Sequence, residues 1–112
     1  MLILFDQGAP VPLRPFLEGH TVKTAAQQGW SSLSNGDLLR EAEAGGFDAL
    51  LTTDKNLVFQ QNLKHRKIAV VVLENPQWPV ARRYVESIVA AVNAVTPGSY
   101  TVVEIPGGQG RE

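Results

Sequence analysis

Three aspartates in the first half of this chain are spaced so that an α/β fold would bring them to one place. Asp6 closes the apolar run Leu2-Ile3-Leu4-Phe5. Asp37 stands in the opening turn of an amphipathic stretch, and Asp54 ends the run Ala49-Leu50-Leu51-Thr52-Thr53. Parallel strands present their carboxyl ends at one sheet edge, where ligands of open α/β folds bind. Carboxylates gathered there repel one another and are costly to desolvate. A divalent cation removes both penalties, and Mg²⁺ held by carboxylates activates water and stabilises charge on a phosphate. Each aspartate also has a simpler role. Asp6 can close a turn, Asp54 can cap the helix that follows, and Ser34-Asn35-Gly36-Asp37 can be a capping arrangement with the acid favoured by the helix dipole. Capping and metal binding are compatible, because a cap sits at the sheet edge anyway.

Composition narrows the chemistry. The 112 residues include no cysteine, so disulfides and thiolate metal sites are excluded. His20 and His65 lack ligand spacing, which leaves oxygen ligands and hence Mg²⁺ or Mn²⁺. No Gly-x-x-x-x-Gly-Lys-[Ser/Thr] loop, Gly-x-Gly-x-x-Gly turn or Gly-x-Ser-x-Gly elbow occurs. Asp6 has no second aspartate two residues on, against an aspartyl-phosphatase arrangement. Formal net charge is −1, but residues 1–54 hold three basic and seven acidic side chains, and residues 55–112 hold seven and four. That asymmetry reads as an acidic pocket beside a basic surface, or as unevenly distributed solvated charge. Lys55, beside Asp54, and Arg82 and Arg83, in the first turn of the last helix, are placed to meet phosphates. Lys64-His65-Arg66-Lys67 reads as a solvated helix end at the opposite edge. Trp30 and Trp78 fall in loops, where they either stack on bases or pack on the core.

The elements that must position these groups follow from hydropathy. Leu2–Phe5, Asp48–Thr53 and Ile68–Leu73 are short continuous apolar runs, the pattern of strands covered on both faces. Thr21–Thr24 is a half-polar strand nearer an edge, and Tyr100–Ile105 is the last strand. Between them a short helix is predicted from about Pro12 to Glu18, a loop over 25–34, and a helix from Ser34 to Gly45. Further helices are predicted from Lys55 to about His65 and from about Val80 to Val95. Strict alternation predicts a three-layer α/β/α domain around a mostly parallel sheet of about five strands. It spans residues 1–106, with 107–112 a glycine-rich flexible tail. No stretch reads as a signal peptide or membrane span, so a cytoplasmic protein is expected.

The strand ending in Asp6, Gly29-Trp30, Asn35-Gly36-Asp37-Leu38-Leu39 and Phe47-Asp48-Ala49-Leu50-Leu51-Thr52-Thr53-Asp54-Lys55-Asn56-Leu57, with Gln60-Gln61-Asn62-Leu63, together resemble a family of uncharacterised bacterial PIN-like proteins. The likeness covers nearly all of residues 1–105, and the Thr-Thr-Asp-Lys-Asn-Leu block is fairly specific. The resemblance implies a small nuclease that hydrolyses RNA with Mg²⁺ or Mn²⁺ on clustered acids, in many cases the toxin of a toxin–antitoxin pair with a cognate antitoxin. A homodimer is also expected. Asp6, Asp37 and Asp54 match the first three acids, as catalytic and metal-binding residues. Thr53, Lys55 and Asn56 would be supporting groups or phosphate contacts. Asn56 occupies the nearest place to a fourth acid, and Asp37 stands where glutamate is frequent. The competing expectation is a catalytically inactive PIN-like domain that binds a partner protein or nucleic acid through the same crevice.

Overall fold

The computed structural model describes residues 1–55 and 66–106. Five short strands form one sheet: β1 (Leu2–Phe5), β2 (Thr21–Thr24), β3 (Ala49–Thr52), β4 (Ala69–Leu73) and β5 (Tyr100–Val103). Every pairing is parallel, and the order is β2-β1-β3-β4-β5. The polar strand Thr21–Thr24 is an edge, as its composition requires, and β3, apolar up to Thr52, and the wholly apolar β4 lie inside.

Helical elements cover both faces, giving three layers. A 3-10 helix (Val11–Phe16) follows β1, α1 (Ala25–Gln28) follows β2, and α2 (Asn35–Ala44) leads into β3. After β4 come α3 (Trp78–Ala81), a 3-10 turn (Arg82–Tyr84) and α4 (Val85–Asn93). Registered residues share a face, so Ile3, Phe5, Leu51, Val71 and Leu73 pack with Leu13, Ala81, Ile88 and Val92 on one side. Leu4, Leu50, Val70 and Val72 pack with Ala25, Leu38, Leu39 and Ala42 on the other. The β1–β2 and β4–β5 connections therefore cross the same face while stepping in opposite directions, so their hands are opposite, a departure from the usual right-handed rule.

Two helical expectations shift. The segment 25–34 contains α1, because Thr24 and Gln27 form a reciprocal capping box and Gly29, at φ 79°, ends the helix. The helix expected from Val80 to Val95 begins instead at Trp78, with Pro79 in its first turn. It passes through the 3-10 turn before continuing as α4, so the unbroken periodicity conceals a change of winding. The helix expected from Lys55 to His65, the tail 107–112 and Asn56 lie outside the described residues. Among the described residues no helix is long and apolar enough to cross a membrane.

Candidate functional site

The order 2-1-3-4-5 reverses direction between β1 and β3, and the crevice of such a sheet opens outside the carboxyl ends of those strands. Asp6 and Asp54 both stand there. Asp6 extends the β1–β3 ladder by one residue, its N–H donating to the Leu51 carbonyl at 2.9 Å. The chain then turns back tightly. Ala9 N–H donates to the Asp6 carbonyl (3.1 Å) and Gln7 N–H to Asp6 Oδ1 (2.8 Å). Gly8 sits in this turn at φ +91°, and a Cβ there would come within 3.0 Å of Thr53 Oγ1. Only glycine both adopts that backbone cheaply and lets the turn seat on Thr53.

Thr52, the last residue of β3, ties the two aspartates together. It is fully buried, and a buried hydroxyl must find partners. Its Oγ1 donates to Asp6 Oδ2 at 2.9 Å and accepts from the Asp54 N–H at 3.1 Å. The one hydroxyl hydrogen is thereby committed to the Asp6 carboxylate, which is fixed over the seam between β1 and β3. Asp54 Oδ2 accepts from Asn35 Nδ2 at 2.8 Å, so the first residue of α2 reaches the same edge. Beside Asp6 lies a mostly apolar hollow of about 170 Å³ lined by Phe5, Gly8, Ala9, Thr24 and Ala25 among others.

Asp37 is differently placed. Its N–H is capped by Ser34 Oγ (3.3 Å), as the Ser-x-x-Asp spacing suggests. Its half-exposed carboxylate pairs with Arg40 one turn along the same helix. Among the described residues no three acidic or histidine side chains gather as a metal-binding group. The edge thus joins Asp6 and Asp54 through Thr52, and it engages Asp37 in a local ion pair.

The remaining predicted groups fall as follows. Thr53 is half-buried beneath Gly8, and Lys55 is exposed next to Asp54. Arg82 and Arg83 are exposed on the 3-10 turn rather than in a helix first turn. Trp30 packs edge-on against Phe47, centroids 5.9 Å apart, and Trp78 packs against Phe16 at 6.0 Å. Arg66 is not solvated: it pairs with Glu43 at 2.8 Å, and both side chains are about three-quarters covered. The two groups that sequence reasoning passed over are Thr52 and Asn35. The available signal was a hydroxyl inside a strand otherwise apolar on both faces.

Comparison with protein-family models, with curated proteins and with solved structures finds no match to this chain. The geometry of the edge therefore carries the functional reading.

Proposed function

We propose that the chain is a Mg²⁺- or Mn²⁺-dependent phosphodiesterase acting on RNA, with Asp6 and Asp54 as its central acids. The observation that carries this reading is the Thr52 hydroxyl, which fixes two carboxylate-bearing residues at the switch point of the sheet. The donor set fits a hard cation. It is all oxygen, and Mg²⁺ is commonly held by only one or two carboxylates together with waters and substrate phosphates. Asp6 and Asp54 would hold the ion, and when bound it supplies an acidified water and neutralises charge developing on the phosphate.

The chain's own residues do the rest. Thr52 holds the Asp6 carboxylate in one orientation through Oδ2, and a carboxylate accepts more bonds than the two described for it. Asn35 orients Asp54. Lys55, exposed beside Asp54, supplies positive charge to a phosphodiester. Asp37, at the start of α2, becomes available as a water-orienting base only when Arg40 swings away. The PIN-like resemblance extends this reading to a cytoplasmic toxin of a toxin–antitoxin pair, with a cognate antitoxin and self-association as its protein contacts.

A second reading, a non-catalytic PIN-like domain that binds a partner protein or nucleic acid at the same crevice, is favoured by the Asp37–Arg40 pair and by the missing three-acid group among the described residues. Incubating the purified chain with single-stranded RNA and either Mg²⁺ or Mn²⁺ separates the two. The nuclease reading expects cleavage that EDTA stops and that Asp6→Asn and Asp54→Asn each lower about a thousandfold. Absence of cleavage with either metal, or cleavage unaltered in both variants, refutes it.

A further inference from the structure

A second surface is not absorbed by the acidic edge. The 3-10 turn Arg82–Tyr84 and the end of the first 3-10 helix border a groove of about 570 Å³ lined by Phe16, Arg82, Arg83, Tyr84 and Glu86 among others. Phe16 is 49% exposed although large aromatic side chains are normally covered. Its ring rests against Trp78, tilted by 43° with centroids 6.0 Å apart, and about half of the residue remains accessible to solvent. Pro12 and Pro15 stiffen the backbone beneath it, so little freedom is left to lose when a ligand covers the ring. Arg82 and Arg83 are exposed, and among the described residues neither is in an ion pair. Glu86 is the one carboxylate among the lining residues, leaving the groove with an excess of one positive charge.

A half-exposed ring held against Trp78 beside two uncommitted guanidinium groups is the arrangement that single-stranded nucleic acid requires: apolar ring surface for a base and cations for the adjoining phosphates. We infer that this groove binds a single-stranded polynucleotide, with one base on Phe16 and neighbouring phosphates on Arg82 and Arg83. This deepens the RNA reading above and rests on it, but uses none of the same residues. Duplex is disfavoured, because its bases are already stacked and cannot cover Phe16. An acidic protein segment would use the arginines and have no need of the exposed ring.

Fluorescence anisotropy of a labelled single-stranded oligouridylate of about twelve nucleotides, in EDTA, tests the inference without cleavage. Binding is expected to weaken with salt, and Arg82→Gln/Arg83→Gln should flatten the log–log slope by about 1.4, the contribution of two single-strand phosphates. Phe16→Leu, which keeps apolar bulk against Trp78, should weaken binding about tenfold, and Phe16→Tyr should retain it. Glu86→Gln should tighten binding about twofold by removing repulsion. Binding is read in EDTA, where no cleavage occurs, and cleavage is read separately with Mg²⁺, so failure of the nuclease reading and failure of this one are distinguishable. The inference is overturned if the parent chain does not bind at low salt or if Phe16→Leu and the double arginine variant, each folded by circular dichroism, bind like the parent. It is equally overturned if an oligoglutamate peptide binds as tightly and is indifferent to Phe16, an outcome that would assign the groove to an acidic protein partner.

Discussion

Two carboxylates at opposite edges of the sheet show how this fold treats negative charge. Glu43, in the last turn of α2, accepts from the N–H groups of Lys67 (2.6 Å) and Ile68 (3.2 Å), and its other oxygen pairs with Arg66 (2.8 Å). Burial alone would raise its pKa. The two backbone donors and the Arg66 guanidinium outweigh that and hold it below its ordinary value of 4.5. Asp6 is as firmly positioned, but by a threonine hydroxyl and a backbone N–H, both neutral. The first carboxylate is consumed by architecture, clamping α2 to the start of β4. Among the described residues the second is oriented with no cation paired to it, which is what a ligand-binding acid requires.

That contrast can be broken by exchanging what each acid is for. The largest effect is expected at Asp6. Asp6→Asn keeps an acceptor for Thr52 and should change unfolding free energy by less than about 1 kcal/mol. RNA cleavage should fall about a thousandfold, equivalent to about 4 kcal/mol of transition-state stabilisation. Denaturant unfolding and single-turnover cleavage on the same preparation read both numbers.

Glu43→Ala should do the reverse. It strands a largely covered guanidinium and two N–H groups, at a cost of about 2–3 kcal/mol in urea unfolding, while cleavage per folded molecule stays near the parent value. Its acid dependence follows from the lowered pKa. The unfolded state binds the proton more tightly, so Glu43 contributes its full stabilisation above pH 4.5 and loses it as pH falls through the lower folded value. Stability of the parent should therefore drop below pH 4.5, with a shallower slope in Glu43→Gln.

Thr52→Val preserves shape but leaves Asp6 Oδ2 and the Asp54 N–H without their partner, costing about 1–2 kcal/mol. Cleavage should fall about tenfold, because the acids lose their shared anchor. The smallest effect is expected from Gly8→Ala, about 1 kcal/mol from the positive φ and the contact with Thr53. If Thr52→Val lowers stability and leaves cleavage intact, the hydroxyl serves packing alone.

The sheet was legible because β1, β3 and β4 are apolar on both faces, a pattern that buried parallel strands impose. The position of Asp6 and Asp54 followed from it, since both terminate such runs. Three things were not legible. The partner of Asp37 depends on where an exposed arginine three residues on rests, and spacing serves an ion pair and a metal ligand equally well. The role of Thr52 required knowing that β1 and β3 are neighbours, a long-range pairing that strand periodicity does not encode. The change of winding at Arg82–Tyr84 was hidden for a related reason: helical spacing of Ala81, Ile88 and Val92 survives one tighter turn.

The central claim, that Asp6 is held with its charge available for a hard cation, meets its most direct test in thermal unfolding against Mn²⁺ concentration for the parent, Asp6→Asn and Glu43→Gln chains. A ligand at a hundred times its Kd stabilises the folded state by about 2.7 kcal/mol. A rise of several degrees is expected in the parent and in Glu43→Gln, and none in Asp6→Asn. An unchanged transition in the parent at millimolar Mn²⁺, or an equal rise in Asp6→Asn, would contradict the assignment.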